Sequence, residues 1–362
     1  MAIMDDPRLL ALDTIACSVP PGAGGLGLHF HQLREFAESS GLASVQSIYP
    51  SPHPSSEPGQ IPVKRWARGA RFLAHIPSTR AYPLFVQAAC VTFDLETSRA
   101  ISPNTEGFTG FASHSLLSFR RARQLGISYL GLAAPNSHVD NLWRQQSVAR
   151  SLYPIDRGWL TAPLRRRTIK EYELADAIFI SSEYQRSSFL KSDVNPDKLI
   201  RIDLQPLPQF KKREHPPADD TFNIAYVGRI DLIKGIPVLL DAFSAVARAD
   251  WRLTVMGNFL SYGLRAHVRE RVHRDRRISV LEYGDPLEVL RPAHVFVHPS
   301  FEDGFGYAPM EALAVGVPVI VTDQTGMAEY DQEAINGSVV PAGDVEALAE
   351  RLRQYSWRLR AS

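Results

Sequence analysis

Asp303 and Glu311 lie eight positions apart around the turn Gly304-Phe305-Gly306, and Tyr307, Ala308 and Pro309 then open a helical pattern that stops at Gly316. Val295-Phe296-Val297 reads as a strand running into the turn, and Pro309 presets a helical φ without needing an N–H partner. The order is therefore strand, glycine turn, short helix. The N–H groups of Gly306, Tyr307 and Ala308 lack intrahelical partners at such a start, where the macrodipole favours phosphate. Two carboxylates beside an anion-binding turn suit a phosphate-bearing, hydroxyl-rich ligand such as a sugar nucleotide. A second cluster, Gly228-Arg229 with Lys234-Gly235 and Pro237, follows the apolar run 222–227. Arg229 ends a strand and Lys234 precedes a helix, so both cations can converge on one diphosphate and neutralise it as a leaving group, with no metal required.

Both clusters need strands that end at one sheet edge. Phe222 to Val227, Leu253 to Met256, Val295 to Val297 and Val317 to Val321 are short apolar runs with helical patterns between them, which predicts a doubly wound parallel sheet. In the first half, Leu9 to Ala16, Gly126 to Leu132 and Ala177 to Ile180 read as strands, and Leu26, Phe30, Leu33 and Ala37 recur at helical spacing. The class is α/β with two domains: 1–212, a polar linker at 213–221 and 222–362. Tyr49 to Pro62 is Pro/Ser-rich and reads as a mobile loop.

At 362 residues the chain can bury two cores, and 44% hydrophobic with 22% charged residues is ordinary for a globular protein. Cys17 and Cys90 are the only cysteines, with no zinc spacing, which excludes a disulfide framework. Asp5 and Asp6 stand where a signal peptide carries cations, so a cytoplasmic location is expected. Residues 1–212 hold 24 Lys+Arg against 18 Asp+Glu, leaving 16 against 21 for the rest. The basic half includes Lys64-Arg65-Trp66, Arg120-Arg121 and Arg165-Arg166-Arg167; it suits a phosphate-bearing acceptor or a peripheral contact at the inner face of an anionic membrane, while solvated helix faces explain the same charges. Nucleic acid is not an expected partner.

Gly228-Arg229, Lys234-Gly235, the Asp-Gly-Phe-Gly turn and the run Pro309-Met310-Glu311-Ala312-Leu313-Ala314-Val315-Gly316 together resemble the retaining glycosyltransferases of family 4. The resemblance is dense over 222–345 and looser before it. It implies the GT-B fold, two Rossmann-like domains facing a cleft, with a UDP-, GDP- or ADP-sugar donor on the second domain and a glycan, lipid-linked or small-molecule acceptor on the first. It further implies that Asp303 hydrogen-bonds sugar hydroxyls, that Glu311 holds the ribose, and that Gly24, Gly25 and Gly27 form a loop approaching donor phosphate. Gly228, Gly304, Phe305, Gly306, Tyr307 and Ala308 complete the donor site. Transfer of a hexose with retention, by front-face attack and without cofactor or metal, is the activity implied. The family's acid pair is usually Glu and Glu, so Asp303 is a departure. The chain also ends soon after Trp357, which makes the final crossover helix short or absent.

Histidines and acids in the first half offer further candidates. His138 follows the strand near 127–133, and the family commonly places a histidine near the transferred sugar there; His114 is the rival. Gly22-Ala23-Gly24-Gly25-Leu26-Gly27 matches a dinucleotide fingerprint, but no acid ends Val45 to Tyr49 to hold a ribose, which argues against a dehydrogenase. Asp94-Leu95-Glu96 mimics a metal-binding D-x-D, whose electrostatic role Arg229 and Lys234 already fill. A catalytically silent sugar-nucleotide binder and a sugar-nucleotide 2-epimerase are the alternatives, and the second needs acid/base carboxylates that the sequence does not offer.

Overall fold

The computed structural model describes residues 11–20, 24–42, 45–51, 59–63, 82–215, 217, 221–282, 284–330 and 337–361, with backbone alone for 358–361. Contacts divide the chain into two compact units. One takes the described residues through Trp143 and from Trp159 to Leu204; the other takes Arg144–Gly158 and the described residues from Gln205 onward.

The first unit contains β1 (Thr14–Ala16), α1 (Gly24–Ser39), β2 (Gln46–Pro50), β3 (Gln60–Val63), α2 (Tyr82–Ala100), β4 (Gly107–Phe111), α3 (Leu116–Gln124) and β5 (Tyr129–Ala133). Helix α4 (Val139–Leu152) starts in it, and α5 (Ala162–Leu174), β6 (Ala177–Ile180), α6 (Glu183–Leu190) and β7 (Leu199–Arg201) complete it. All strands pair in parallel in the order β3-β2-β1-β4-β5-β6-β7. Strands β4 and β6 are buried throughout, which is why Ala177 to Ile180 reads as a continuous apolar run. Local signals set the helix starts: the Thr161 and Ser182 side chains accept the N–H groups of Leu164 and Gln185 at the heads of α5 and α6.

The second unit contains β8 (Phe222–Val227), α7 (Ile236–Val246), β9 (Trp251–Met256), α8 (Tyr262–Arg274), β10 (Ile278–Leu281), α9 (Pro286–Leu290), β11 (Val295–His298), α10 (Tyr307–Val315), β12 (Val319–Thr322), β13 (Ser338–Val340) and α11 (Val345–Ala361). Its parallel order β10-β9-β8-β11-β12-β13 reverses direction between β8 and β11. A crevice at the carboxyl ends of those two strands is where open α/β sheets take ligands. Phe243, Phe296 and Phe301 are fully buried in this core, each contributing about 1.5–3 kcal/mol by removal from water.

Several expectations need correction. The Tyr49 to Pro62 loop is bounded by paired strands, since β2 and β3 run parallel in register Tyr49 to Pro62; β3 is the sheet edge, where proline is tolerated. The unit boundary falls after Leu204, eight residues before the expected 212, and Arg144–Gly158 joins the second unit. Arg213, placed in the linker by the sequence reading, is anchored instead: its N–H donates to Val315 O at 3.0 Å and its guanidinium to Arg291 O and Ala293 O at 2.9 and 2.6 Å. No correction applies to the expected crossover helix: α11 belongs to the second unit, where it buries Leu348, Leu352 and Tyr355 and packs on α7.

Candidate active site

Both expected clusters of the second unit emerge at the β8/β11 crevice. After β8, the chain turns through Gly228 to Asp231, whose carboxylate accepts the Lys234 N–H at 2.8 Å and shapes the approach to α7. Gly235 caps α7 at φ 71°, and a Cβ there would lie 1.9 Å from Pro299 O, so only glycine lets α7 start this close to the end of β11. That contact fixes Lys234 beside the acid turn. Its ammonium donates to Asp303 Oδ2 at 2.7 Å and to Glu302 O at 3.3 Å, with the residue only 9% exposed. The third N–H has no partner among the described residues.

Asp303 receives a second donor. His298 Nε2 lies 2.8 Å from the same Oδ2 and 3.0 Å from Ser300 Oγ. A carboxylate only accepts, so Nε2 carries the proton and the buried Nδ1 is left without a hydrogen-bond partner among the described residues. Burial alone would push the Asp303 carboxyl up, but Lys234 and His298 outweigh it and hold it well below the usual carboxylate range. Burial lowers the His298 pKa, against the opposing pull of Asp303. Oδ2 is thus committed to two cationic or N–H donors, and Oδ1 is the oxygen left to accept from a ligand.

The acid turn is also clamped by backbone bonds. Asp303 N–H donates to Gln324 O, Gly326 N–H to Asp303 O, and Met327 N–H to Phe305 O, at 2.9–3.0 Å. The segment Gly326–Glu329 is a 3₁₀ turn laid against the site. Gly306 heads α10 at φ 105° with no side-chain cap, and a Cβ there would crowd Met327 and Pro309 at 3.0 Å. Intrahelical bonding begins with Met310 N–H to Gly306 O, and Pro309 has no N–H, so the Tyr307 and Ala308 N–H groups are the open donors. Glu311, half-buried on α10, has its carboxyl pushed up to about 7 by burial. Burial raises the neighbouring Tyr307 phenol too, and its Oη is buried without a hydrogen-bond partner among the described residues. Arg229 is half exposed and stands 3.3 Å from Asp231 Oδ2.

The first-unit candidates have structural occupations. Gly24, Gly25 and Gly27 are not a loop: they form the first turns of α1, with Gly24 at φ 64°, because the Phe30, Leu33 and Ala37 stripe carries the helix back to them. His138 is 5% exposed, tilted at 37° against the Tyr172 ring with centroids 4.8 Å apart and edge-on to Phe189, with Nδ1 accepting the Asp140 N–H at 3.2 Å. Burial lowers its pKa to about 4, so it stands neutral at the head of α4. His114 is tied to Cys90 Sγ at 3.2 Å and to Ala112 O at 3.0 Å. Asp94 is fully buried and accepts the N–H groups of Leu117 and Ser118 at 2.6 and 2.8 Å while paired with Arg167; it caps α3. Lys64 to Phe72 lies outside the described residues.

Sequence reasoning missed His298, Ser300 and Asp231. His298 was findable as the one ionisable residue closing an otherwise apolar strand.

Comparison with known proteins places this geometry. Residues 221–356 match the family model described as "Glycosyl transferases group 1". Over those residues the chain is similar to the group 1 glycosyltransferases. A capsular polysaccharide biosynthesis glycosyltransferase, CapM, of Staphylococcus aureus is 29% identical over 150 residues, which is 40% of this chain and 40% of that protein. The chain spans less than half the length of the curated relatives it matches. Sucrose-phosphate synthase from Thermosynechococcus elongatus superposes with a TM-score of 0.66 at 18% identity, covering 96% of this chain and 94% of that one. Anabaena Alr3699/HepE, solved with UDP-glucose, superposes at 0.62 with 13% identity over 96% and 90%. These likenesses establish the GT-B fold. The Arg229 and Lys234 turn, the Asp303 turn and Glu311 all lie inside the matched residues. Among the described residues no helix is long and apolar enough to cross a membrane.

Proposed function

We propose that the chain transfers a hexose from a nucleoside diphosphate sugar to a glycan, lipid-linked or small-molecule acceptor, with retention of anomeric configuration. The observation that carries this reading is the Lys234 ammonium, held by Asp303 and the Glu302 carbonyl with one N–H to spare, on the turn that leads into the uncapped start of α10. A cation fixed in this way, beside two open backbone donors, matches a diphosphate.

In this reading the Lys234 N–H, the Arg229 guanidinium and the N–H groups of Tyr307 and Ala308 take the diphosphate oxygens as charge develops on the leaving group. Asp303 Oδ1 accepts a sugar hydroxyl. Glu311, pushed towards neutrality by burial, regains its charge when two ribose hydroxyls donate to it. The leaving diphosphate accepts the acceptor's proton in a front-face attack, so no protein nucleophile is required. Arg229 and Lys234 supply the positive charge that a metal would otherwise bring, so neither metal nor cofactor enters the proposal. The solved likeness to a chain holding UDP-glucose supports a sugar-nucleotide donor, and the polysaccharide relative supports a role in glycan or glycoconjugate synthesis. The acceptor is assigned to the first unit, whose basic surface suits a phosphate-bearing or membrane-borne substrate at the inner face of the cytoplasmic membrane.

The test is release of nucleoside diphosphate from a panel of UDP-, GDP- and ADP-sugars in EDTA, followed by the anomeric configuration of the product by NMR. Turnover of at least one donor with retention is expected. Tight donor binding without turnover for every donor and acceptor tried would mark a silent binding protein instead.

A further inference from the structure

Tyr226 is fully buried on β8, and among the described residues its hydroxyl makes one hydrogen bond. The hydroxyl donates to the backbone carbonyl of Arg229, three residues ahead, at 2.6 Å. Gly228 leaves room for this, since a Cβ there would lie 3.1 Å from the phenol oxygen. The same short turn is held from another side: Ile230 N–H donates to Asn258 O at 2.9 Å, and Leu260 N–H returns to Ile230 O at 3.4 Å. The Tyr226 ring lies nearly parallel to His298, with centroids 6.5 Å apart and planes within 7°. One side chain therefore touches the Arg229 turn with its oxygen and stacks its ring on the histidine that anchors Asp303. Burial, then Asp231, Arg229 and Asp303, are the influences on its ionisation, and the net effect keeps it a neutral donor.

We infer that Tyr226 is a positioning residue for Arg229: its hydroxyl fixes the Arg229 carbonyl, so that the half-exposed guanidinium swings from a set backbone between Asp231 and the donor diphosphate. The inference rests on the diphosphate reading given above. Without the phenol bond the turn would still be attached through Ile230, but the Arg229 peptide plane would lose its fixed orientation. Some of the anion's binding would then go into ordering the turn. Asp231, 3.3 Å from the guanidinium, holds the side chain in the absence of an anion.

The experiment is a double-mutant cycle on the full chain with Tyr226→Phe and Arg229→Ala, titrating UDP, GDP and ADP by calorimetry and using whichever binds tightest. Loss of one neutral hydrogen bond predicts that Tyr226→Phe weakens the nucleoside diphosphate by roughly 3- to 10-fold in the presence of Arg229. In the Arg229→Ala background the same change should cost less than about 2-fold, because there is no guanidinium left to place. A merely structural role for the phenol would weaken binding equally in both backgrounds, and that result overturns the inference, as does no effect of Tyr226→Phe alone. Circular dichroism melting of Tyr226→Phe controls for loss of fold. If Arg229→Ala leaves affinity unchanged, the diphosphate reading and this inference fall together; if Arg229→Ala weakens binding and Tyr226→Phe does not, only this inference falls.

Discussion

Replacing Asp303 with Asn keeps the size of the side chain but removes the charge that neutralises Lys234. Lys234 and Asp303 side chains are 11% and 18% exposed and 2.7 Å apart, so the ammonium would be left nearly buried with a neutral partner. Breaking a buried pair from one side costs about 3–5 kcal/mol, and the residual exposure of both groups puts this pair at about 3 kcal/mol. In a unit of roughly 170 residues, each kcal/mol lowers the melting temperature by about 2–4 °C, which predicts a fall of about 6–12 °C. Calorimetric melting of the wild type, Asp303→Asn, Lys234→Met and the double mutant measures it. In the Lys234→Met background the Asn substitution should cost little or stabilise, since no ammonium is stranded. A nucleoside diphosphate should also raise the melting temperature of Asp303→Asn by more than that of the wild type, because it returns negative charge to Lys234. The sign with pH follows from the depressed Asp303 pKa. Its contribution is present above the unfolded carboxyl value of about 3.9 and is lost as pH falls from there towards the folded value, a loss that Asp303→Asn should not show. Equal stability of Asp303→Asn and wild type, or the same cost in both backgrounds, would refute the coupling.

Other outcomes follow from the same geometry. Glu311 has its carboxyl near 7, and ribose binding favours the ionised form; nucleotide affinity should therefore rise with pH up to about 7 and be roughly 10-fold weaker at pH 6 than on the plateau. Glu311→Gln should flatten that dependence, as read by calorimetry across pH 5.5–8.5. Arg229→Ala or Lys234→Ala should lower kcat by roughly 10²-fold or more and raise donor KM, the scale of losing one oxyanion-type donor, in steady-state assays with EDTA present. Gly235→Ala, whose Cβ would meet Pro299 O at 1.9 Å, should destabilise the second unit and lower donor affinity together, seen as a lower melting temperature and a weaker thermal shift with nucleotide.

Much of the second unit was legible because its strands are short apolar runs closed by chemistry-bearing turns. Phe222 to Val227 coincides with β8, and the Asp303 turn, Pro309 and Gly316 delimit α10 as read. Strand β4 was not legible: Gly107 and Gly110 weaken its pattern, yet a Cβ at Gly110 would fall 2.0 Å from Ser115 Oγ, so glycine is there for packing with the following turn. The glycines at 24–27 misled in the opposite direction, since a loop composition was overridden by the buried α1 stripe. Lys234 and Asp303 each stood out in the sequence, whereas His298, Ser300 and Asp231 did not, and the pairing of Lys234 with Asp303 was not legible. Lys234 and Asp303 are 69 positions apart, and nothing local says that the cation assigned to phosphate and the acid assigned to sugar share a hydrogen bond. The same holds for Asp94 and Glu171, whose carboxylates cap the turn and helix at 113–118 across the fold, where a linear reading sees an unoccupied acid.

The central claim is that Arg229, Lys234 and the head of α10 enclose a sugar-nucleotide diphosphate, and a crystal structure of the chain with a bound nucleoside diphosphate tests it most directly. The account predicts phosphate oxygens within about 3 Å of the Lys234 ammonium and of the Tyr307 or Ala308 N–H, with the ribose on Glu311. A nucleotide bound with its phosphates away from Lys234 and α10 would contradict it.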